Sequence, residues 1–144
     1  MEISTVLNTL EDTEKLAEKI ASEILGGQIL ALSGPVGAGK TTFAKLFAAA
    51  LGIEKTVLSP TYTLLQPYTL PKPIRGITTF IHIDAYRLES PEELTAIGFA
   101  DFLSDPSVII LIEWAEHAGN LLDSQSVIRM NFEIENGLRI CSLK

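Results

Sequence analysis

Apolar positions along this chain change their spacing several times, and each change marks an element. Leu16, Ile20 and Ile24 fall four apart, with Ala17 and Ala21 beside them and Glu14, Glu18 and Glu23 elsewhere. That pattern predicts an amphipathic helix from Leu10 to Leu25, with Thr9 as its N-cap and Gly26-Gly27 as its stop. Ile3 to Leu7 ahead of it reads as a short first strand or an extended lead-in. The run Ile29 to Leu32 is wholly apolar and too short for a helix, so it reads as a buried strand. Phe43, Leu46, Phe47 and Ala50 return to helical spacing, in a segment that ends near Leu51-Gly52.

Further along, Ser59 to Leu65 is rich in extended formers, and Pro67, Pro71, Pro73 and Gly76 punctuate a turn. Ile77 to Asp84 reads as the strand returning from that turn, giving a hairpin. Ser90-Pro91-Glu92-Glu93 predicts the start of a short helix that runs to about Ile97 before Gly98. Asp105-Pro106 closes that segment. Val108 to Ile112 is the most hydrophobic run of the chain and predicts a central buried strand ending at Glu113-Trp114. Ala115 to Leu122 reads as irregular or as a short helix. Two closing strands, Ser126 to Ile134 and Leu138 to Leu143, flank Glu135-Asn136-Gly137, whose Asn-Gly pair is a hairpin signal. The fold class implied is α/β, with central strands mostly parallel and antiparallel hairpins at the periphery.

A length of 144 residues suits one domain, 1–144, with a real core. No apolar run approaches the ~18 residues of a membrane span, and the N-terminus lacks a signal-like pattern. One cysteine, Cys141, excludes an internal disulfide and a Cys-based zinc site, and it reads as a small residue in the last strand. Together these features suit a reducing, cytoplasmic setting. The net charge of −7 argues against broad electrostatic binding to nucleic acid, and Arg75, Arg87, Arg129 and Arg139 are scattered along the chain.

Between the second strand and second helix lies Gly34-Pro35-Val36-Gly37-Ala38-Gly39-Lys40-Thr41, which matches the phosphate-loop pattern G-x-x-x-x-G-K-[ST]. A polyphosphate is surrounded by backbone N–H groups only where no side chain blocks approach, which the glycines allow. The loop opens onto a helix N-terminus, whose free N–H groups attract anions. Lys40 would reach the β- and γ-phosphates, and the Thr41 hydroxyl would take one position on Mg²⁺.

Such a loop needs an acid at the end of a neighbouring strand, to hold Mg²⁺ or to orient the attacking water. Glu113 and Asp84 are the two candidates. Thr61, about twenty residues after the loop lysine, is placed like a switch threonine. Trp114 is suited to stacking on a ligand, although an aromatic beside a buried strand is more often core. His82 reads simply as a strand residue.

The blocks GPVGAGKTT (34–42), SPTYTLLQPY (59–68), HIDAYRL (82–88), SPEEL (90–94) and IEWAE (112–116) occur in that order. Together they resemble the TsaE family, also called YjeE, from about Thr13 to Arg139. The resemblance implies a phosphate-loop ATPase using ATP and Mg²⁺, weak alone, that works with TsaB and TsaD. It implies a part in threonylcarbamoylation of tRNA adenosine 37, assembling and resetting the complex without performing the transfer. By the same resemblance Lys40, Gly37, Ala38, Gly39 and Thr42 would hold phosphates. Thr41 and Glu113 would ligate Mg²⁺, and Asp84 would position water. Ser59 to Tyr62 would form a switch segment, with Thr13 near the adenine and Arg139 close to the nucleotide. Pro35, Ala115 and Leu138 depart from the residues common in that family.

A small-molecule kinase would share the loop but needs an acceptor pocket and usually an arginine-bearing lid, and no arginine-rich segment stands where a lid belongs. A GTP switch needs an Asn/Thr-Lys-x-Asp motif and an Asp-x-x-Gly switch, and neither occurs. A non-catalytic nucleotide-binding adaptor is disfavoured by the joint presence of Lys40, Thr41, Asp84 and Glu113.

Overall fold

The two uninterrupted apolar runs become the middle of a sheet. In the computed structural model, which describes residues 3–54, 65–123 and 125–144, β2 (Ile29–Ser33) lies between β5 (Val108–Glu113) and β6 (Val127–Glu135) and runs parallel to both. Every residue of β5 is buried, as a parallel strand covered on both faces requires. β4 (Ile77–Asp84) lies parallel beyond β5.

Antiparallel strands complete the two sides. β6 turns back into β7 (Leu138–Leu143), and β1 (Ile3–Leu7) pairs with β7. Across the sheet, β3 (Leu65–Ile74) pairs antiparallel with β4. The order among the described residues is β1-β7-β6-β2-β5-β4-β3. Asn136 and Gly137 have φ of 52° and 79°, the left-handed pair that a two-residue hairpin turn demands.

Helices cover both faces. α1 (Leu10–Glu23) and α2 (Lys40–Ala50) bury Leu16, Ile20, Phe43 and Phe47 against Leu30, Phe80, Leu111 and Phe132. The opposite face packs Ala31, Ile81, Ile83, Ile110 and Ile112 against Leu94 of α3 (Glu92–Ala96) and Phe99 of α4 (Phe99–Phe102). Ala118 and Leu122, from a 3₁₀ helix over Ala115–Leu122 kinked at Gly119, finish that layer.

Thr9 caps α1 as its sequence predicts, within a reciprocal box in which the Asp12 N–H donates to Thr9 Oγ1 and the Thr9 N–H donates to Asp12 Oδ2. The helix ends at Glu23, before the two glycines. Its last carbonyls are met by Arg75, which donates to Ala21 O at 2.7 Å and from Nε to Ile24 O at 3.0 Å.

One prediction fails in detail. The proline segment is not a turn: β3 runs on through Pro67, Pro71 and Pro73 to Ile74, and the turn is Arg75-Gly76. The strand stands at the edge of the sheet, where a residue without an N–H is tolerated, and its register shifts between Thr69 and Ile74. The predicted hairpin with β4 is present. Its expected first part, Ser59 to Leu64, lies outside the described residues, as does Thr61.

Candidate functional site

The carboxyl ends of β2, β4 and β5 converge where the glycine loop begins. Side chains alternate along a strand, so the pairing of Asp84 with Glu113 ends both strands with an acid on the α1/α2 face. That face already carries Phe80, His82 and Leu111. The loop then delivers α2 with Lys40 as its first residue.

Gly34 has φ of +134°, and a Cβ there would lie 2.1 Å from Phe132 O, so the loop passes directly against β6. Gly37, at φ +82°, has open space where its Cβ would stand. Above the loop is a cleft lined by Gly37, Gly39, Lys40, Thr41, Thr42, Glu113, Trp114 and Arg139. Ala38 lies beneath it, fully buried.

Lys40 Nζ donates to the carbonyls of Gly34 and Pro35, the latter at 2.9 Å. It stands 4.0 Å from the centroid of the Trp114 ring, a cation–π contact. Burial lowers the Lys40 pKa, and the negative charges of Glu116, Glu113 and Asp84 oppose that shift. Glu113 is only 2 % exposed. The Thr41 hydroxyl donates to its Oε1 at 2.8 Å, and His82 Nε2 lies 2.6 Å from its Oε2. Burial would raise the Glu113 pKa, but the bonds from His82 and Thr41 and the charge of Lys40 more than offset this and lower it. Asp84 is half-buried and its pKa is raised by desolvation, with Glu113 adding to the shift and the Tyr86 N–H, which donates to Oδ1 at 3.0 Å, reducing it.

Arg139 arrives from β7, and its Nε donates to Gly37 O at 3.0 Å, tying the closing hairpin to the glycine loop. Thr13 lies on the buried face of α1 and is not among the residues lining the cleft. The structure thus gathers Lys40, Thr41, Thr42, Glu113, Arg139 and the loop glycines, with Asp84 beside Glu113.

Two residues matter more than their sequence suggests. His82 is not merely a strand residue: it is 1 % exposed and bonded to Glu113. The alternation that places Asp84 on the cleft face places His82 there too, which was the available signal. Trp114 packs partly against the core on the α3/α4 face of the sheet but also forms a wall of the cleft. It adopts φ +57°, a left-handed conformation that is an outlier for a bulky residue and is seen at functional sites. Tyr86 and His117 pack on its ring, with centroids 5.0 and 5.7 Å away.

A parallel core strand, a glycine loop opening onto a helix, and acids at adjacent strand ends define a P-loop NTPase-like α/β protein. The structure aligns with a crystal structure of Bacillus subtilus YdiB at a TM-score of 0.72 and 25 % identity, covering 99 % of this chain and 84 % of that one. The family model described as "Threonylcarbamoyl adenosine biosynthesis protein TsaE" matches residues 7–140, and the chain belongs to the TsaE family. A Rickettsia conorii protein named "tRNA threonylcarbamoyladenosine biosynthesis protein TsaE" is 38 % identical over 139 residues, 95 % of this chain and 75 % of that protein. The protein of the same name from Mycobacterium leprae is 33 % identical over 115 residues, 77 % of this chain and 70 % of that one. Among the described residues, no helix is long and apolar enough to cross a membrane.

Proposed function

We propose that this chain is a single-domain, cytoplasmic ATPase of tRNA threonylcarbamoyladenosine synthesis, acting with TsaB and TsaD and not itself the transferase. The observation that carries this reading is the cleft, in which Lys40, Thr41 and Glu113 meet beside the glycine loop of a TsaE-family chain.

The donors fit a magnesium-bound nucleotide. Thr41 and Glu113 offer hard oxygens, the ligand type Mg²⁺ takes alongside substrate phosphates. The space over Gly37 admits close approach to backbone N–H groups. Bound Mg²⁺ would neutralise charge developing on the phosphates.

The chain's own residues do the rest. Gly37, Ala38, Gly39 and Thr42 present the loop and the first turn of α2. Lys40 exchanges its carbonyl partners at Gly34 and Pro35 for phosphate oxygens. Glu113 keeps the Thr41 hydroxyl fixed through the 2.8 Å bond. Asp84, paired with Glu113 at the strand ends and beside the cleft, orients the attacking water. Arg139, in the wall of the cleft, steadies the loop at Gly37 O. Thr13 is assigned to the adenine end on the family likeness alone.

The test is ATP hydrolysis with and without purified TsaB and TsaD, with Lys40→Ala as control. Weak turnover alone, stimulation by the partners and loss of both in Lys40→Ala are expected. Turnover that ignores TsaB and TsaD but appears with a small phosphate acceptor would replace this reading with a kinase.

A further inference from the structure

Glu113 is a flexible side chain with three rotatable bonds, yet it sits buried with a separate donor on each oxygen. Thr41 holds Oε1 from the helix that follows the loop, and His82 holds Oε2 from the neighbouring strand. His82 is itself fixed: it is 1 % exposed, and its ring stacks on Phe80 with centroids 6.3 Å apart and planes 11° apart.

The other ring nitrogen determines the tautomer. Among the described residues, His82 Nδ1 has no hydrogen-bond partner although it is buried. A proton there alone would leave a buried donor without an acceptor and set the Nε2 lone pair 2.6 Å from the Glu113 carboxylate oxygen. A proton on Nε2 instead points a donor at the carboxylate.

We propose that His82 is the positioning residue for Glu113, donating Nε2–H to Oε2 so that Oε1 stays committed to Thr41 and the nucleotide's metal. This rests on the magnesium-nucleotide reading above. Without that donor, Oε2 is buried and unpaired and the carboxylate is drawn towards the Lys40 ammonium, which already faces it electrostatically. Partners one step behind a metal-binding carboxylate commonly change metal affinity or activity by about 10–100-fold when removed.

The variants that separate this role from packing are His82→Gln, His82→Asn and His82→Phe. A glutamine amide nitrogen falls near the place of Nε2, an asparagine one near Nδ1, and phenylalanine fills the space with no donor. The readout is binding of a fluorescent ATP analogue in EDTA and across a Mg²⁺ titration, with urea midpoints recording folding. The half-saturating Mg²⁺ should rise about tenfold in His82→Asn and His82→Phe, and His82→Gln should stay near wild type. Affinity in EDTA should be alike in all four proteins.

Equal Mg²⁺ dependence in wild type, Asn and Phe variants would overturn the proposal, as would a Gln variant as impaired as Asn. Wild-type protein whose nucleotide binding ignores Mg²⁺ would overturn the reading beneath it instead. Long-range ¹H–¹⁵N correlation of the wild-type protein tests the tautomer independently of any variant. A proton on Nε2 supports the proposal, and one on Nδ1 alone refutes it.

Discussion

Two glycines of one loop should respond very differently to a single added methyl. In Gly34→Ala the new Cβ would stand 2.1 Å from Phe132 O, about 1.2 Å inside the closest C–H···O approaches. The obstacle is backbone of β6, a strand paired on both sides, so it has nowhere to retreat. A φ of +134° adds backbone strain, of order 1–3 kcal/mol for a non-glycine residue. With a further ~1–3 kcal/mol for forced overpacking, the change should destabilise by about 2–6 kcal/mol. Gly37→Ala carries the strain of φ +82° but meets nothing within 4 Å, so about 1–2 kcal/mol is expected. Urea unfolding followed by the fluorescence of Trp114, the single tryptophan, measures both. Nucleotide binding should be lost in Gly34→Ala, because displacing the loop from β6 also displaces its N–H groups. Equal destabilisation by the two substitutions would refute the reasoning.

Other residues make separate predictions. Arg75→Ala removes an exposed guanidinium that meets the carbonyls of Ala21 and Ile24, so a loss of ~1–2 kcal/mol in urea unfolding is expected, and Arg75→Lys should restore less than half of it. Asp84→Asn should cut partner-stimulated turnover by more than tenfold with nucleotide affinity nearly unchanged, measured by steady-state hydrolysis and equilibrium binding. The same substitution should stabilise the fold. Desolvation raises the Asp84 pKa, so the folded state is penalised as pH rises through that value and not below the ordinary carboxyl pKa of about 4. The Asn variant's advantage in urea midpoint should therefore be larger near pH ~8 than near pH ~4, and an equal advantage at both would contradict the assignment. Burial pushes the Cys141 thiol up to about 12, so thiol alkylation at pH ~8 should be negligible in the folded protein and complete in urea, as mass spectrometry will show.

How far the sequence discloses this molecule depends on whether a feature is local. The glycine loop, the Thr9 cap, the Asn136-Gly137 turn and the buried runs of β2 and β5 are written in neighbouring residues and emerge as read. The prolines of β3 mislead because their meaning depends on position in the sheet: the same residues that break an interior strand are harmless on an edge. Asp84 and Glu113 are legible as strand-end acids, but their register with each other is a property of the β4–β5 pairing. The His82 bond to Glu113 spans 31 residues, and that of Arg139 to Gly37 spans 102. No local pattern announces such contacts, although alternation along β4 already puts His82 on the productive face. Trp114 combines both lessons, since its bulk suggests core while its left-handed backbone turns it toward Lys40.

The prolines of β3 also bear on how the protein behaves in a crowd. Three of ten positions on that outer strand lack an N–H, and Pro67, Pro71 and Pro73 are exposed, so a foreign strand would find a broken template there. At the other end β1 has no proline and shows Ile3 and Val6 to solvent at 49 % and 45 %. Among the described residues the sheet is therefore guarded against self-association on the β3 flank and not on the β1 flank, and misassembly at high concentration should begin at β1.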